Sequence, residues 1–198
     1  FSRRRFLATS VAAASTVVAS PCAFAASSGA KVIVGAHPWV YAATQPKYDV
    51  TPVLPQIFAD MQYAGLDGIE LMHTALLPDD AVERIAELSR KHSLPVLGTS
   101  FGGAMWDRAK HAEVLADAQR AIPRLGKLGG KTLGVSVGAV PKNQKKTPAQ
   151  FDAQAELLRK IIKICNDNGV VLNLHNHTYE VIDDMHDLRG TLARIPEV

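Results

Sequence analysis

Val170-Val171-Leu172-Asn173-Leu174-His175-Asn176-His177-Thr178-Tyr179-Glu180 opens with β-branched and leucine residues directly behind Asn168-Gly169, a helix-stop pair. It therefore reads as a buried strand leaving a helix. Side chains on a strand alternate between faces, so Asn173, His175 and His177 share one face while Leu172, Leu174 and Asn176 share the other. A buried parallel strand is normally apolar on both faces. Two imidazoles on one face cost desolvation unless a metal, a substrate or a carboxylate pairs with them.

Working outward from this strand, the rest of the chain alternates short apolar runs with helical stripes. Lys31–Ala36 reads as a first strand, ended by Pro38, which cannot donate to a ladder. Thr51-Pro52 opens a helix with Leu54, Ile57, Phe58 and Met61 on one face, running up to Gly65. Gly68–Met72 is the second strand, and Pro78-Asp79-Asp80 starts a helix carrying Val82, Ile85, Ala86 and Leu88. Leu94–Ser100 is the third strand, and a glycine-rich connection follows. From Asp107 the stripe Val114, Leu115, Ala118, Ile122 and Leu125 predicts a long helix, bent at Pro123 and stopped by Gly129-Gly130. Thr132–Val137 is the fourth strand. Thr147-Pro148 opens a helix with Phe151, Leu158, Ile162 and Cys165 inward. Beyond the fifth strand, Asp183-Asp184 predicts a last helix through Leu188 and Leu192.

Five strand-then-helix units without hairpin signals predict a parallel sheet. The glycine fingerprint of a dinucleotide-binding sheet is absent after the first strand, where His37-Pro38-Trp39 stands instead. That favours an α/β fold of the (β/α)8 TIM barrel type. Such a barrel needs eight strands and about 250 residues. The chain is accordingly expected to hold the first five units, with an open sheet edge and an uncovered interior.

The ends carry separate information. Arg3-Arg4-Arg5, a mild alanine-rich run and Ala23-Phe24-Ala25 have the regions of an export signal of twin-arginine type over residues 1–25, leaving 26–198 as the barrel domain. The expected location is periplasmic or secreted, without a stable membrane anchor. Phe1 at the start and Pro196-Glu197-Val198 at the end, with no finishing element, are read as the bounds of a fragment. Removing the three signal arginines from 22 Lys+Arg leaves 19, against 19 acids, so the expected mature part is formally neutral. Nothing in that balance suggests a nucleic-acid surface. Cys22 falls in the signal and leaves Cys165 alone, so the mature part has no intrachain disulfide.

In a barrel of this type the reactive residues sit at the C-terminal ends of the strands. That rule selects His37 and Trp39 on the first strand, Glu70 and His73 on the second, and Ser100 and Phe101 on the third. It adds Ser136 and the loop lysines 142, 145 and 146 on the fourth, then His175, His177 and Glu180 on the fifth. Histidine is both a common metal ligand and the usual acid–base group near neutral pH. Each candidate also has a plain reading. The histidine pair could be satisfied within a polar core, Glu70 could be half of an ion pair, and Trp39 could be core filler. His73 is expected to be loop-exposed and the lysine run a solvated face. His92, His111 and His186 fall on helices and are expected to be solvated, with Cys165 inert in the core.

Leu174-His175-Asn176-His177-Thr178-Tyr179-Glu180, together with Gly65-Leu66-Asp67-Gly68-Ile69-Glu70-Leu71 and the twin-arginine start, resembles the sugar phosphate isomerase/epimerase family, the xylose isomerase-like barrels. The resemblance covers about residues 31 to 198. It implies an enzyme that isomerises, epimerises or dehydrates a sugar or polyol with a divalent metal, Mn, Zn, Mg or Co. It further implies Glu70 and His175 as catalytic groups, His37, Trp39 and His177 as substrate contacts, and His175 and Glu180 as metal ligands. The remaining ligands, an Asp, a His and a Glu on later strands, are expected beyond Val198. Many relatives carry a glutamate where this chain has His175. The alternative from another class is a non-catalytic carbohydrate-binding barrel using Trp39, Phe101 and Trp106.

Overall fold

Five parallel strands pair in strict chain order, each with its sequence neighbour, which is how a barrel sheet grows. The computed structural model describes residues 31–142 and 144–196. The expected export signal and the linker behind it lie outside those residues. From Ile33 onward the chain forms one compact unit. The order is β1 (Gly35–Ala36), α1 (Trp39–Ala42), α2 (Leu54–Tyr63), β2 (Gly68–Met72), α3 (Ala81–His92), β3 (Val96–Gly102), α4 (His111–Lys127), β4 (Thr132–Ser136), α5 (Pro148–Asp167), β5 (Val171–Leu174) and α6 (Thr178–Leu192).

The two faces of the sheet differ sharply. Ile69, Leu71, Leu133, Val135 and Leu172 are buried on the outer face beneath the helices, which bring Ile57, Phe58, Ile85, Ile122, Leu125, Leu158, Ile161 and Cys165. Each such aliphatic side chain contributes about 1.5–3 kcal/mol of burial. The inner face of β3 and β4 instead carries Gly98, Ser100, Gly102, Gly134 and Ser136, where barrels usually place bulky branched residues. A register shift at Ile69/Glu70 leaves Leu97 as the extra residue of β3. A Cβ built on Gly35 or Gly68 would lie 2.6 Å or 2.5 Å from that side chain, so Leu97 fills the lower interior there.

Several elements depart from expectation. The first ladder is only Gly35–Ala36, with Val34 joined to Asp67 through its N–H to the carboxylate at 3.0 Å. Ile33 and Val34 are 57% and 52% exposed, and β1 has a described neighbour on one side alone. β3 runs on to Gly102, past the expected Ser100, because Phe101 pairs with Val135 and Gly102 with Ser136. Thr147 forms a complete capping box with Gln150 at the start of α5, as its sequence suggests. The last helix begins five residues before Asp183, at Thr178. It is interrupted by Ile182 and by Asp183, Asp184 and Met185, all at positive φ, so the expected helix corresponds to its second part.

Candidate active site

Glu70 stands in the middle of β2 and faces inward, flanked by the fully buried Ile69 and Leu71 on the helix side. β5 alternates as its sequence requires, with Leu172 buried and Asn173 exposed, but it ends at Leu174: His175 and His177 are exposed in the turn that follows, and His177 is the N-cap of α6 and not a strand residue. Between the two strands lies Gly134 of β4. A Cβ placed on it would stand 3.3 Å from Glu70 Oε1, 3.7 Å from His175 Cβ and 3.9 Å from His175 Nδ1. Carboxylate and imidazole therefore converge over a position that has no side chain.

His37 completes this group from the end of β1. Its Nε2 lies 2.8 Å from Ser100 Oγ, which fixes the ring against β3. Burial pushes its pKa below the ordinary imidazole value; Glu70 pulls it up and His175 pushes it down, so all three groups share one field. His177 lies beside His175, ring centroids 4.9 Å apart, and is stacked nearly parallel to Tyr179 at 5.7 Å. Trp39 is 52% exposed and stacks on Tyr48 at 5.4 Å, which rules out the core-filler reading.

Glu180 does something its sequence position does not announce. It is 2% exposed, and its Oε2 accepts the His177 N–H at 2.5 Å, forming a capping box at the start of α6. One carboxylate oxygen is thus engaged in holding His177 rather than facing the inner space. As metal donors, an imidazole and a carboxylate over Gly134 have suitable chemistry. Catalytic sites of this kind use at least three protein ligands. Among the described residues no group of three or more His, Cys, Asp and Glu could hold an ion, so the residues present supply part of a shell and not a complete one.

Other expectations are corrected. His73 is not loop-exposed: it is half-buried against Phe101 at 4.7 Å, and burial lowers its pKa, with Asp117 and a Ser100 backbone hydrogen bond opposing. Phe101 is 3% exposed in the core and cannot serve as a sugar platform. Trp106 donates to the Ala139 carbonyl at 3.2 Å. His92 is buried with Nδ1 2.7 Å from Gln62 Oε1, while His111 and His186 are half-buried on the carbonyls of Met105 and Lys146. None of the three is solvated. Cys165 is buried core as expected, its thiol pushed up to about 12 by burial.

Two residues of consequence escaped sequence reading. Tyr179 OH sits 2.6 Å from Ser136 Oγ and accepts the Gly138 N–H at 3.2 Å, tying the end of β4 to α6. Burial raises its pKa. Lys146, read as part of a solvated run, is 3% exposed and donates to Gln154 Oε1 and Asp187. The sequence marked the first poorly, because the capping box that starts α6 there is built on His177 and not on the Ser, Thr, Asp or Asn of the usual signature. Beside the site a cleft of about 620 Å³ opens between loop residues 139–142 and 144–146 and α6, sharing Tyr179 but none of Glu70, His37 or His175.

A family model described as xylose isomerase-like TIM barrel matches residues 58–198. The chain belongs to the xylose isomerase-like TIM barrel family. Among solved structures, this barrel is similar to a D-allulose 3-epimerase from Methylomonas sp., with 21% identity, TM-score 0.61, and 84% of this chain and 60% of that one covered. It is also similar to a 3-keto-D-glucoside 4-epimerase from E. coli, with 17% identity, TM-score 0.60, and coverages of 82% and 64%. A sugar phosphate isomerase/epimerase from Parabacteroides distasonis gives 13% identity, TM-score 0.56, and coverages of 78% and 54%. The xylose isomerase-like chain thus spans between about half and two-thirds of the length of these structures. No curated protein sequence matches it.

Proposed function

We propose that this barrel is the catalytic half-site of a sugar isomerase or epimerase that moves a proton next to a carbonyl in a sugar or polyol. The observation that carries the reading is the convergence of Glu70 and His175 over Gly134, with His37 anchored beside them. In the reaction Glu70, as carboxylate, takes the proton from the carbon adjacent to the carbonyl. The electron pair of that C–H bond moves onto the carbonyl as an enediolate. His175 holds a substrate oxygen where negative charge develops, and His37, kept neutral by burial, orients a neighbouring hydroxyl. Delivery of a solvent proton to the same carbon from the opposite face is epimerisation; return of the proton from Glu70 to the neighbouring carbon, with the hydroxyl proton passing to the former carbonyl oxygen, is isomerisation.

His177 and Trp39 line the same rim and serve as substrate contacts, an aromatic face suiting a sugar ring. A divalent ion, when bound, would supply Lewis-acid stabilisation of the enediolate, with His175 among the residues that would hold it. The twin-arginine start supports export to the periplasm or beyond, and no described helix is long and apolar enough to cross a membrane.

The test is solvent exchange. Ketohexoses incubated with the protein in D2O are expected to gain one deuterium at the carbon beside the carbonyl, and Glu70→Gln to abolish the gain. One observation favours a second reading, a carbohydrate-binding barrel without catalysis: the exposed Trp39–Tyr48 stack. Saturable sugar binding with no exchange under any metal supplement would establish that reading instead.

A further inference from the structure

We propose that Gly134 is a positioning residue for the Glu70–His175 pair, its missing side chain setting the gap in which the two groups face each other. This inference rests on the proton-transfer reading of the same site. Gly134 occupies the middle of β4, paired with Ser100 on β3 and Asn173 on β5, and it points to the inner face. A glycine inside a strand weakens it, so its presence calls for a reason.

Backbone conformation is not that reason. The glycines at positive φ are Gly65, Gly129, Gly138 and Gly169; Gly134 is not among them, and an alanine could adopt its extended geometry. The neighbours on β4, Leu133 and Val135, are buried on the opposite face and are indifferent to what stands at 134. What remains is space. A methyl here would press on Glu70 Oε1 at 3.3 Å while touching His175 at 3.7 Å and 3.9 Å. The carboxylate would have to give by a few tenths of an ångström, while the imidazole would stay in ordinary contact, so the methyl shifts one reacting group relative to the other.

Gly102 supplies the comparison. It lies on the adjacent strand with the same inward direction, yet a Cβ there would meet only Ser136, at 3.5 Å and 3.7 Å, which is ordinary contact. Methylating 102 adds bulk to the inner face without touching the pair. Gly134 is therefore the glycine whose occupation reaches Glu70 and His175 at once.

The experiment compares Gly134→Ala, Gly102→Ala, Glu70→Asp and the Gly134→Ala/Glu70→Asp double variant in the full chain. Gly134→Ala is expected to keep the melting temperature and to lower kcat by roughly tenfold to a hundredfold with little change in KM, as a small misplacement of a catalytic group does. Gly102→Ala should behave as wild type. Glu70→Asp alone should also be slow, but shortening the carboxylate by one methylene makes room for the alanine methyl. The double variant should therefore be faster than the product of the two single effects. Strict multiplication of the two losses, or full activity in Gly134→Ala, overturns the inference. A readout free of turnover separates it from the function itself. Glu70→Gln should move the His175 ring proton resonances, and Gly134→Ala should change the size of that movement. If the wild type proves inert on sugars while this coupling holds, the positioning inference stands and the proton-transfer reading fails. If the His175 resonances ignore Glu70 in both backgrounds, the inference falls.

Discussion

Two clusters of charged side chains lie within one barrel and are built on opposite terms. Around Lys146 every polar group is paired inside the protein. Its ammonium donates to Gln154 Oε1 at 2.8 Å and to Asp187 at 2.8 Å and 3.1 Å; Gln154 Nε2 donates to Thr191 Oγ1, and that hydroxyl donates to the Asp187 carbonyl. Lys146, Gln154, Asp187 and Thr191 are all buried. Around Glu70 and His175, among the described residues, no side-chain hydrogen bond engages either group, and both face the inner space. The first cluster joins the loop after β4 to α5 and α6. The second has donors and acceptors to spare, which is what a substrate requires. A charged group is thus informative about function through the partners it lacks, and charge alone says little.

The largest expected effect breaks the first cluster. Lys146→Met removes the cation and strands Asp187 in a buried setting, which should cost about 3–5 kcal/mol in stability by denaturant unfolding. Burial lowers the Lys146 pKa against the pull of Asp187, so the pair has little excess stabilisation to spare. A loss no greater than that of a surface substitution would show that the two clusters do not differ in kind.

A smaller effect concerns pH. Burial holds His73 and His37 below the ordinary imidazole value of 6.5, so in this range the unfolded chain binds more protons than the folded one. Stability should be complete above about pH 6.5 and should fall as pH drops from there through the folded values. His73→Gln, which cannot charge and lies under Phe101 away from the reacting groups, should flatten part of that slope in pH-dependent unfolding. An unchanged slope would place the titration elsewhere.

Where a residue's role follows from periodicity, sequence and structure agree. Leu172, Asn173 and Leu174 alternate as a strand must, and Thr147 caps α5 because a Thr-Pro with Gln150 three residues on has one good way to start a helix. Parallel order follows from the absence of hairpin turns. The interior was less readable, because what Gly134 does depends on Glu70 and His175, distant in sequence and joined only by the sheet. Lys146 failed for a similar reason: its partners Gln154 and Asp187 lie on two later helices, and a lysine among lysines carries no local sign of burial. Glu180 was placed in the site by its motif, yet the helix it caps begins at a histidine, a rare capping residue, so its local role was hidden.

If Glu70 and His175 act on substrate and do not serve the fold, losing either should cost turnover and spare stability. The most direct test is to measure kcat and melting temperature on the same preparations of wild type, Glu70→Gln and His175→Ala. In each variant kcat is expected to fall by roughly 10²–10⁴-fold. Stability should stay within about 0.5 kcal/mol, as for surface substitutions. Retained turnover in His175→Ala together with a large loss of stability would contradict the substrate role.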